Sequence, residues 1–283
     1  MDNYNDGPGA LLTDRVALIT GGAGAIGAAT AQLFARHGAH VIVVDNSERR
    51  TPSVVASITE SGGSCEGLVL DVRDGAALVA LRDRVLADHG RLDVLVNNVG
   101  HYVRFHPGFE DTTEEHWQAI YEVNYLHVLR LTHLFLPSMI ERRSGSIINV
   151  SSVEGLRGYP LDPVYGAIKA AVVQFTKSIG VQAGHHGVRV NGVGPDVTES
   201  IQVPYSKFVT PEQEHLWPVW VPIGRMGVPD DQARVMLFLA SDLSVFVTGH
   251  TIPTDGGTGA AGGWFRTTNR PGQVWTNRPI EAD

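Results

Sequence analysis

The sequence predicts a doubly wound α/β fold, in which a parallel sheet of about seven strands carries helices on both faces. Two observations lead to this fold class. Short runs of β-branched and apolar residues alternate with longer segments whose apolar residues recur at helical spacing. A glycine cluster follows the first apolar run directly, as expected for a tight turn from a strand into a helix. Repeated strand–helix–strand units then require right-handed crossovers, which place helices on both sides of the sheet.

The predicted strands end where glycine or polar residues begin. They cover 15–20, 40–45, 67–70, 93–96, 146–150, 188–193 and 251–254. The predicted helices cover 25–37, 52–60, 74–89, 112–139, 163–182 and 229–240. Gly38 and Gly90 follow the first and third helices in the position typical of a helix stop. Thr112 is the predicted N-cap of the fourth helix, with Glu115 completing a capping box, and Pro229 opens the sixth.

The chain shows no linker rich in proline, glycine or serine, so we expect residues 1–283 to form one domain. Residues 1–12 are predicted to form a flexible N-terminal tail. The irregular, proline-containing stretch 196–227 resembles a lid over a site. Residues 258–283 form a C-terminal extension with three aromatic residues, Trp264, Phe265 and Trp275. We expect these aromatics to anchor on a neighbouring subunit, with a tail folded over its own lid as the alternative.

Composition and charge limit the class of protein. Of the 283 residues, 43% are hydrophobic and 18% are charged, which is enough apolar material for a sizeable core. The formal net charge is −8 and basic residues are not clustered, which argues against nucleic acid or an anionic membrane as partner. A single cysteine, Cys65, excludes an intramolecular disulfide. With neither a signal-peptide pattern nor a bilayer-length apolar run, the sequence favours a cytoplasmic location.

Residues 20–27, with the sequence TGGAGAIG, join the first strand to the first helix. The backbone must turn sharply here and approach a pyrophosphate closely, which requires small side chains. The free amides and the dipole at the start of the helix then bind the anion. A glycine cluster alone indicates only a tight turn. The strand before it, the helix after it and an acidic residue at the end of the second strand together predict a dinucleotide site.

That acidic residue is Asp45, 18 positions after Gly27. A carboxylate at this place accepts hydrogen bonds from both ribose hydroxyls of the adenosine and repels the 2′-phosphate of NADP. Arg49 and Arg50 are four and five residues further on, and the glycine loop itself contains no basic residue. The sequence therefore predicts NAD as the cofactor, against the alternative that Asp45 only caps a loop.

Tyr165 and Lys169 are four positions apart, which places a phenol and an ammonium on one helix face. Removing a hydride from a carbinol carbon also requires removal of the hydroxyl proton, and a free tyrosine has a pKa of about 10. A neighbouring cation lowers such a pKa by roughly one to three pH units. Ser152 ends the fifth strand, where open α/β sheets bind ligands, and its hydroxyl suits a substrate oxygen. The Tyr–Lys pair alone is common on solvated helices.

In order and spacing, these motifs resemble those of the short-chain dehydrogenase/reductase family, in its single-domain branch, over roughly residues 12–257. Residues 20–27 resemble the family's TGxxx(A/G)xG loop, and Asp71-Val72 resembles its adenine-contacting pair. The segment 97–100, NNVG, resembles the family's NNAG motif. Asn124 lies where the family keeps a structural and proton-relay asparagine. The resemblance implies a Rossmann fold, a nicotinamide cofactor and a homodimer or homotetramer built on the helices 111–139 and 163–182.

The resemblance also implies roles for individual residues. The catalytic residues that it implies are Asn124, Ser152, Tyr165 and Lys169. The implied cofactor-binding residues, including those of the glycine loop, are Gly21, Gly24, Ala25, Ile26, Gly27, Asp45, Asp71, Val72, Asn98, Val99, Gly100, Tyr165, Lys169, Pro195, Val197, Thr198 and Ser200. Tyr165 is expected to act as general base in oxidation and general acid in reduction, with Asn124 holding a water that links Lys169 to solvent.

One position departs from the family pattern. Pro195-Asp196 stands where the family usually has Pro-Gly after the sixth strand. Asp196 adds a side chain and a charge beside the expected nicotinamide site. We expect it to alter either the local backbone or the affinity for the cofactor.

Residues near the expected site are candidates for substrate contact. They are His101, Tyr102, Glu154, Tyr159, Tyr205 and Trp217, with Phe105 nearby. For His101, Tyr102 and Phe105 the alternative is ordinary loop packing. For Glu154 it is a carboxylate at the start of a helix, and for the aromatic residues of the lid it is a subunit interface. The chain has 12 histidines, but none is in a recognisable ligand pattern such as HExxH, so no metal is predicted.

The sequence thus predicts an NAD(H)-dependent oxidoreductase that interconverts a secondary alcohol and a ketone. The aromatic lid favours a lipophilic cyclic substrate such as a hydroxysteroid or a dihydrodiol. One alternative is a 3-oxoacyl-thioester reductase, an activity that usually uses NADPH. An enoyl reductase is disfavoured because its catalytic spacing is wider than that of Tyr165 and Lys169. A non-catalytic NAD-binding regulatory protein is the alternative from another class.

Overall fold

The structure is a computed structural model that describes residues 10–103, 108–262, 265–266 and 275–276. Residues 206 and 208 and the two C-terminal pairs are described by their backbone only. Phe105 and Trp264 lie outside the described residues.

The predicted strands form one parallel sheet of seven strands. They are β1 (Val16–Thr20), β2 (His40–Asp45), β3 (Ser64–Val69), β4 (Val94–Asn97), β5 (Gly145–Val150), β6 (Val188–Pro195) and β7 (Thr251–Thr254). The strand order is β3-β2-β1-β4-β5-β6-β7, and every neighbouring pair is parallel. The chain starts in the middle of the sheet, builds one half and then returns to build the other. The predicted doubly wound fold is confirmed.

Helices connect the strands and cover the sheet. They are α1 (Ala25–Arg36), α2 (Arg50–Glu60), α3 (Gly75–His89), α4 (Glu114–Tyr121), α5 (His127–Glu141), α6 (Pro163–Gly184), α7 (Tyr205–Phe208), α8 (Trp217–Trp220), α9 (Pro229–Ala240) and α10 (Thr258–Ala261). No helix of the described part of the chain combines the length and the apolar character needed to cross a membrane.

Apolar side chains fill both faces of the sheet. Along β1, Ile19 packs into the layer that holds Phe34 of α1, while Leu18 points to the opposite layer with Phe135 of α5. All four side chains are fully buried. Because each such burial stabilises the fold by roughly 1.5–3 kcal/mol, the two layers fix the strands, and with them the loops at their carboxyl ends.

The predicted helix 112–139 is interrupted. A π-helical segment, Glu122–Leu126, separates α4 from α5. The N-cap is Thr113, whose hydroxyl accepts a hydrogen bond from the His116 amide at 3.3 Å, so the prediction of Thr112 was wrong by one residue. Thr112 is engaged elsewhere, because the indole Nε1 of Trp117 donates to its hydroxyl at 2.7 Å. Glu115 is then the second helical residue and cannot complete the predicted capping box.

The packed fold begins earlier than the predicted boundary of the N-terminal tail. Leu12 is fully buried, and its amide donates to the His37 carbonyl at 2.9 Å. Residues 10–12 are therefore fixed against the end of α1, and the predicted tail extends too far.

The lid and the C-terminal extension contain short regular elements that the sequence did not predict. The lid holds α7, a 3₁₀ helix (Pro211–Leu216) and α8. After α10, Phe265–Arg266 pairs antiparallel with Trp275–Thr276 as β8 and β9. The backbone of β8 lies against α8 of the same chain. Anchoring of the tail aromatics on a neighbouring subunit stays a prediction.

Candidate active site

The glycine loop needs glycine at the positions where backbone segments meet. A Cβ atom on Gly27 would lie 2.1 Å from the Gly21 carbonyl oxygen, which no side chain tolerates. Gly21 itself has a φ of +63°, in the left-handed region. Gly24 caps α1 without a side chain, so the first amides of α1 remain available to an anion. Ala25 and Ile26 open α1 at this point, as predicted from the sequence.

The end of β4 holds the glycine loop in place. The Asn98 side-chain amide donates to the carbonyls of Thr20 and Gly21 at 3.0 and 3.3 Å. In return, the Thr20 hydroxyl accepts the backbone amides of Asn98 and Val99 at 3.0 and 3.4 Å. Asn98 therefore positions the loop, which is a definite structural role for a residue that the resemblance assigned to the cofactor site.

Asp45 lies at the carboxyl end of β2, buried beside the loop. Its two carboxylate oxygens accept the amides of Ala23 at 3.2 Å and Ser47 at 3.0 Å. The guanidinium of Arg50 lies 3.5 Å from the same carboxylate. From its position in the sequence, Arg50 was expected to lie too far from Asp45 to contact it. The structure brings the two residues together because α2 begins at Arg50 and turns back over β2. A guanidinium cation therefore lies directly beside the Asp45 carboxylate.

Asp71 and Val72, the predicted adenine-contacting pair after β3, lie in different environments. Asp71 forms a two-pronged hydrogen bond with the Arg73 guanidinium, with contacts of 2.6 and 3.0 Å. This hydrogen bond holds the pKa of the Asp71 carboxyl below its usual value. Val72 is buried against the core.

Ser152 and Tyr165 meet at the carboxyl end of β5. The Ser152 hydroxyl accepts the Glu154 amide at 3.2 Å and lies 3.4 Å from the Pro195 carbonyl oxygen. Tyr165 is buried and hydrogen-bonded to both Ser152 and Tyr102. Burial raises the pKa of the Tyr165 phenol, while the hydrogen bonds from Tyr102 and Ser152 act in the opposite direction.

Lys169 lies one helical turn beyond Tyr165, with its ammonium nitrogen 5.5 Å from the centre of the tyrosine ring. Its Nζ donates to the Val150 carbonyl at 3.2 Å and is almost fully buried. Burial lowers the pKa of Lys169 to about 8. Burial of the phenol is the largest influence on the pKa of Tyr165, and a lowering effect of Lys169 stays a prediction.

Asn124 and Lys169 converge on Gly100. A Cβ on Gly100 would lie 3.0 Å from Lys169 Nζ and 3.1 Å from Asn124 Oδ1. Asn124 is fully buried in the π-helical segment, where the extra residue in the turn changes the direction of its side chain. Its side-chain oxygen Oδ1 accepts a hydrogen bond from the backbone amide of His101 at 3.0 Å. Its side-chain nitrogen Nδ2 donates to the carbonyls of His101 and Ile120 at 2.8 and 3.0 Å. The structure thus brings the four predicted catalytic residues to one place.

Aromatic rings pack around Tyr165. The Tyr102 and Tyr159 rings lie 4.3 and 6.0 Å from the Tyr165 ring, centre to centre. Tyr205 belongs to the same group, since the phenols of Tyr102 and Tyr159 interact with it electrostatically. Trp217 stands behind Tyr205, with ring centres 6.3 Å apart. His101 is exposed at the edge, with its ring nitrogen accepting the Val103 amide at 2.7 Å.

The lid touches the site directly. The Gln202 side-chain amide donates to the Gly100 carbonyl at 2.6 Å. At the base of the lid, the amide of Gly227 donates to the Val197 carbonyl at 2.9 Å. Thr198 is buried there and accepts a hydrogen bond from Gln232 of α9 at 3.0 Å. The predicted cofactor residues after β6 therefore anchor the start of the lid.

Asp196 joins two elements through its carboxylate. Arg157 Nη2 lies 3.2 Å from it and also donates to Glu154 at 2.8 Å. The Thr258 hydroxyl of α10 donates to the other carboxylate oxygen. Glu154 is therefore committed to Arg157, and Asp196 connects the end of β6 to both the loop after β5 and the C-terminal extension. Asp196 stood out in the sequence as a departure from the family pattern, but no sequence pattern reveals these partners.

His127 lies beneath the site and was not recognised as part of it. Its Nε2 lies 3.1 Å from the Val99 carbonyl oxygen, and the ring is fully buried. Burial, together with the charge of Lys169, lowers the pKa of His127 to about 3. The ring is neutral at physiological pH and adds no second cation beside Lys169.

The residues fit a nicotinamide dinucleotide. The loop at α1 offers backbone amides and no side chain to block an approaching pyrophosphate, and the Asp45 carboxylate lies at the adjacent strand end. Across the sheet, the buried ammonium of Lys169 and the hydroxyls of Ser152 and Tyr165 lie at the ends of β5 and α6. These groups would hold the two ends of one extended cofactor.

Known proteins with similar sequences agree with this interpretation of the geometry. A family model described as enoyl-(acyl carrier protein) reductase matches residues 21–259. The 3-oxoacyl-[acyl-carrier-protein] reductase FabG of Thermotoga maritima is 39% identical over 246 residues, which cover 87% of this chain and 98% of that protein. A cyclopentanol dehydrogenase of Comamonas sp. is 36% identical over 248 residues, with 87% and 97% covered.

Solved structures share the fold. One described as 7α-hydroxysteroid dehydrogenase complexed with NADH and 7-oxo glycochenodeoxycholic acid has a TM-score of 0.80 and 29% identity. The match covers 91% of this chain and 98% of the other. The similarity therefore extends over nearly the whole length of each relative.

Proposed function

This chain belongs to the short-chain dehydrogenase/reductase family and is an oxidoreductase acting on a CH–OH group or the corresponding ketone, and on that premise we propose that it is an NAD(H)-dependent dehydrogenase or reductase of a lipophilic cyclic substrate. The observation that carries the proposal is the convergence of Ser152, Tyr165, Lys169 and Asn124 beneath a wall of tyrosine rings.

Tyr165 exchanges the substrate proton. Its phenol oxygen already has two hydrogen-bond partners, Ser152 and Tyr102, both of which favour the phenolate. In oxidation the phenolate takes the hydroxyl proton of the alcohol, and in reduction the phenol returns a proton to the carbonyl oxygen. Ser152 donates to the same substrate oxygen and stabilises the charge that develops there. The nicotinamide, when bound, accepts or supplies the hydride.

Lys169 and Asn124 support this exchange from behind. Lys169 Nζ and Asn124 Oδ1 lie on either side of the space next to Gly100, where a small polar molecule or a ribose hydroxyl could bridge them. A lysine whose pKa is about 8 can pass a proton near neutral pH more easily than a solvated lysine. We propose that protons reach Tyr165 from solvent by way of this pair.

The tyrosine wall supports a cyclic, apolar substrate. Tyr102 and Tyr159 pack next to the Tyr165 ring, and Tyr205 interacts electrostatically with Tyr159. Flat aromatic surfaces bind rings well, because they bury a large apolar area without many rotatable bonds. The related cyclopentanol and 7α-hydroxysteroid dehydrogenases carry names of cyclic substrates.

NAD is the proposed cofactor because a buried carboxylate, Asp45, lies at the end of β2. Arg50, 3.5 Å away, is the observation that favours NADP. The steady-state kcat/KM ratio for the two cofactors tests this point. We expect at least about a tenfold preference for NAD, since an added phosphate would meet the carboxylate at close range. A preference for NADPH contradicts the proposal, and loss of that preference in Arg50→Ala would assign it to Arg50.

A second candidate is a 3-oxoacyl-thioester reductase, which the 39% identity to the Thermotoga maritima enzyme favours. The two candidates differ in substrate shape and cofactor. The purified protein should therefore be assayed with NAD and NADP against cyclopentanol, a hydroxysteroid, a dihydrodiol and an acetoacetyl thioester.

Fastest turnover of a cyclic alcohol with NAD supports the proposal. Fastest turnover of the thioester with NADPH supports the second candidate instead. Absence of turnover with every substrate, together with measurable NADH binding, favours a non-catalytic cofactor-binding protein.

A further inference from the structure

Two histidines and a glutamate meet at the end of the sheet opposite to the active site. His40 begins β2, Glu66 lies in β3, and His89 is the last residue of α3. One ligand atom from each residue lies within 4.8 Å of the others. No metal was predicted from the sequence because these residues are far apart in the chain and form no motif. The parallel register that pairs Ile42 with Glu66 places the Glu66 side chain on the same face as His40.

The His40 ring is oriented so that one nitrogen points into the cluster. Its Nδ1 lies 2.7 Å from the Ser64 hydroxyl. Its Nε2 is buried and has no hydrogen-bond partner among the described residues, although it lies 3.8 Å from Glu66 Oε1. When Nδ1 donates to Ser64, Nε2 carries the lone pair. A polar outer partner on the other ring nitrogen is typical of a metal-binding histidine.

His89 approaches the same carboxylate oxygen from the other side. Its Nε2 lies 2.9 Å from Glu66 Oε1, and the two imidazole rings are 4.7 Å apart, centre to centre. Arg84 holds the second carboxylate oxygen, Oε2, at 2.8 Å. Oε1 is thus the carboxylate oxygen that faces the two imidazole nitrogens and can serve as a metal ligand. The donors are two imidazoles and one carboxylate, the set that zinc accepts with three protein ligands and an open position.

Charge also favours a cation at this place. Glu66 brings a carboxylate between the two imidazoles. The Arg84 guanidinium pairs with Oε2, so the negative charge of the carboxylate is unpaired by arginine on the Oε1 side, which faces the two imidazoles.

We propose that His40, Glu66 and His89 bind one Zn²⁺ ion, with a water molecule as the fourth ligand. Its distance from the active site gives the ion a structural role. Along the six-residue strand β2, His40 and Asp45 are at opposite ends, about 16 Å apart at the usual rise per residue. The ion would cross-link the starts of β2 and β3 to the end of α3, and it would not touch the cofactor or the substrate.

The test uses the full-length protein, freed of any purification tag and of metal by a chelator. Zn²⁺ is titrated by calorimetry, and Co²⁺ is used as a spectroscopic probe of an imidazole–carboxylate site. We expect one equivalent of Zn²⁺ with a rise in Tm, and a visible Co²⁺ band. His40→Ala and His89→Ala should each lower the affinity at least about tenfold, and Ser64→Ala should lower it by about tenfold through the His40 ring.

A second histidine pair, His185 and His186, is consecutive in the sequence, has ring centres 3.7 Å apart and provides the matched control. His186→Ala should leave the stoichiometry, the affinity and the Co²⁺ band unchanged. Circular dichroism of each metal-free variant checks folding, and Glu66→Gln provides a third substitution if one histidine variant does not fold. Absence of one-equivalent binding to the wild type overturns the proposal. So does equal affinity in the cluster variants, or a loss of binding in His186→Ala.

Discussion

At the residue scale, the phenol of Tyr165 depends on partners from three different parts of the chain. Ser152 comes from the end of β5, Tyr102 from the loop after β4, and Lys169 from the next turn of α6. Burial raises the pKa of Tyr165, and the hydrogen bonds oppose that effect. The chemistry of this tyrosine is therefore set by positions that no single sequence motif contains.

Replacing Tyr165 by phenylalanine should abolish most turnover while leaving the cofactor site intact. Proton transfer by a positioned group typically contributes 10²–10⁴-fold, so we expect kcat to fall by at least about 100-fold. NADH binding, measured by fluorescence titration, should change by less than about threefold, because the glycine loop and Asp45 are untouched. Tyr159→Phe is the matched control in the same aromatic group. Wild-type turnover in Tyr165→Phe would refute the assignment.

Tyr102→Phe should shift the pH dependence of alcohol oxidation towards higher pH. The hydrogen bond from Tyr102 lowers the pKa of Tyr165, so its removal raises that pKa, and a higher pH is needed to form the phenolate. The midpoint of the kcat/KM profile reports this pKa in the free enzyme. Tyr159 acts on the pKa of Tyr165 in the opposite direction, so Tyr159→Phe should give no upward shift. Identical profiles for Tyr102→Phe and wild type would contradict the role given to Tyr102.

Lys169→Met should change the pH dependence of stability as well as activity. The pKa of Lys169 is about 8 in the folded protein, against 10.5 for a lysine side chain in water. Between these values the unfolded chain binds the proton that the folded protein has released. The free energy of unfolding of the wild type therefore rises with pH in this window, and that of the variant lacks this contribution.

Calorimetry at about pH 7 and about pH 9.5 tests this prediction. The Tm of the variant minus the Tm of the wild type should fall as the pH rises, because only the wild type gains stability from the release of this proton. The exposed Lys177 of the same helix gives the matched control, and the Tm difference for Lys177→Met should not depend on pH in this way. A constant difference for Lys169→Met would mean that the buried ammonium keeps a normal pKa.

At the element scale, the periodicity of apolar residues predicted those strands and helices whose ends are set by packing against the sheet. The bounds of β2, β7 and α9 agree with the prediction to the residue, because their apolar patterns continue up to a glycine, a proline or a polar residue. The π-helical segment around Asn124 could not be predicted. It conserves the apolar face of a helix while inserting one residue into a turn, and the tertiary contacts of Asn124 with His101 maintain it.

The site was predictable where a short local pattern places a residue. Asp45 and Ser152 lie at the ends of β2 and β5, Tyr165 and Lys169 lie one turn apart on α6, and all four lie where the motifs placed them. Arg50, His127 and the partners of Asp196 were missed, because their roles arise from contacts between elements distant in sequence. Such contacts leave no periodic signal in the chain.

The lid is an element whose position depends on Asp196. This carboxylate binds Arg157 after β5 and Thr258 of α10, so it fixes the first residue of the lid from two sides. Asp196→Gly restores the residue usual in the family and should loosen this attachment. We expect KM for the alcohol to rise several-fold, since a partly buried ion pair is lost and the lid must be ordered on binding.

Limited proteolysis gives an independent measure of the lid in Asp196→Gly. Cleavage within 196–227 should become faster than in the wild type, while Tm changes little. Thr258→Val should show part of the effect, and the double variant should show less than the sum of both. Asp242→Gly removes an exposed aspartate paired with Arg15 and is the control. Unchanged proteolysis and KM in Asp196→Gly would show that the carboxylate does not hold the lid.

At the scale of the whole molecule, one apolar surface is left uncovered by the described part of the chain. Phe109 and Trp117 stack with ring centres 5.7 Å apart, and the two residues are 52% and 36% exposed. Together with α6 they border a cavity of about 360 Å³, lined by Phe109, Trp117, Pro163, Val164, Ala167 and Ile168. Exposed aromatic surface of this kind is typical of an interface with another protein.

We propose that a second copy of the chain covers this surface, in keeping with the homo-oligomer expected from the family resemblance. Ala167 is exposed on α6, on the side away from Lys169, so Ala167→Arg places a charge in the interface without disturbing the core. Light scattering after size exclusion should show a smaller species for this variant than for the wild type. Val79→Arg, on the exposed side of α3, is the matched control and should leave the mass unchanged. Because Tyr165 and Lys169 belong to the same helix as Ala167, dissociation should also lower kcat and Tm together. A wild-type mass for Ala167→Arg would exclude this face as the interface.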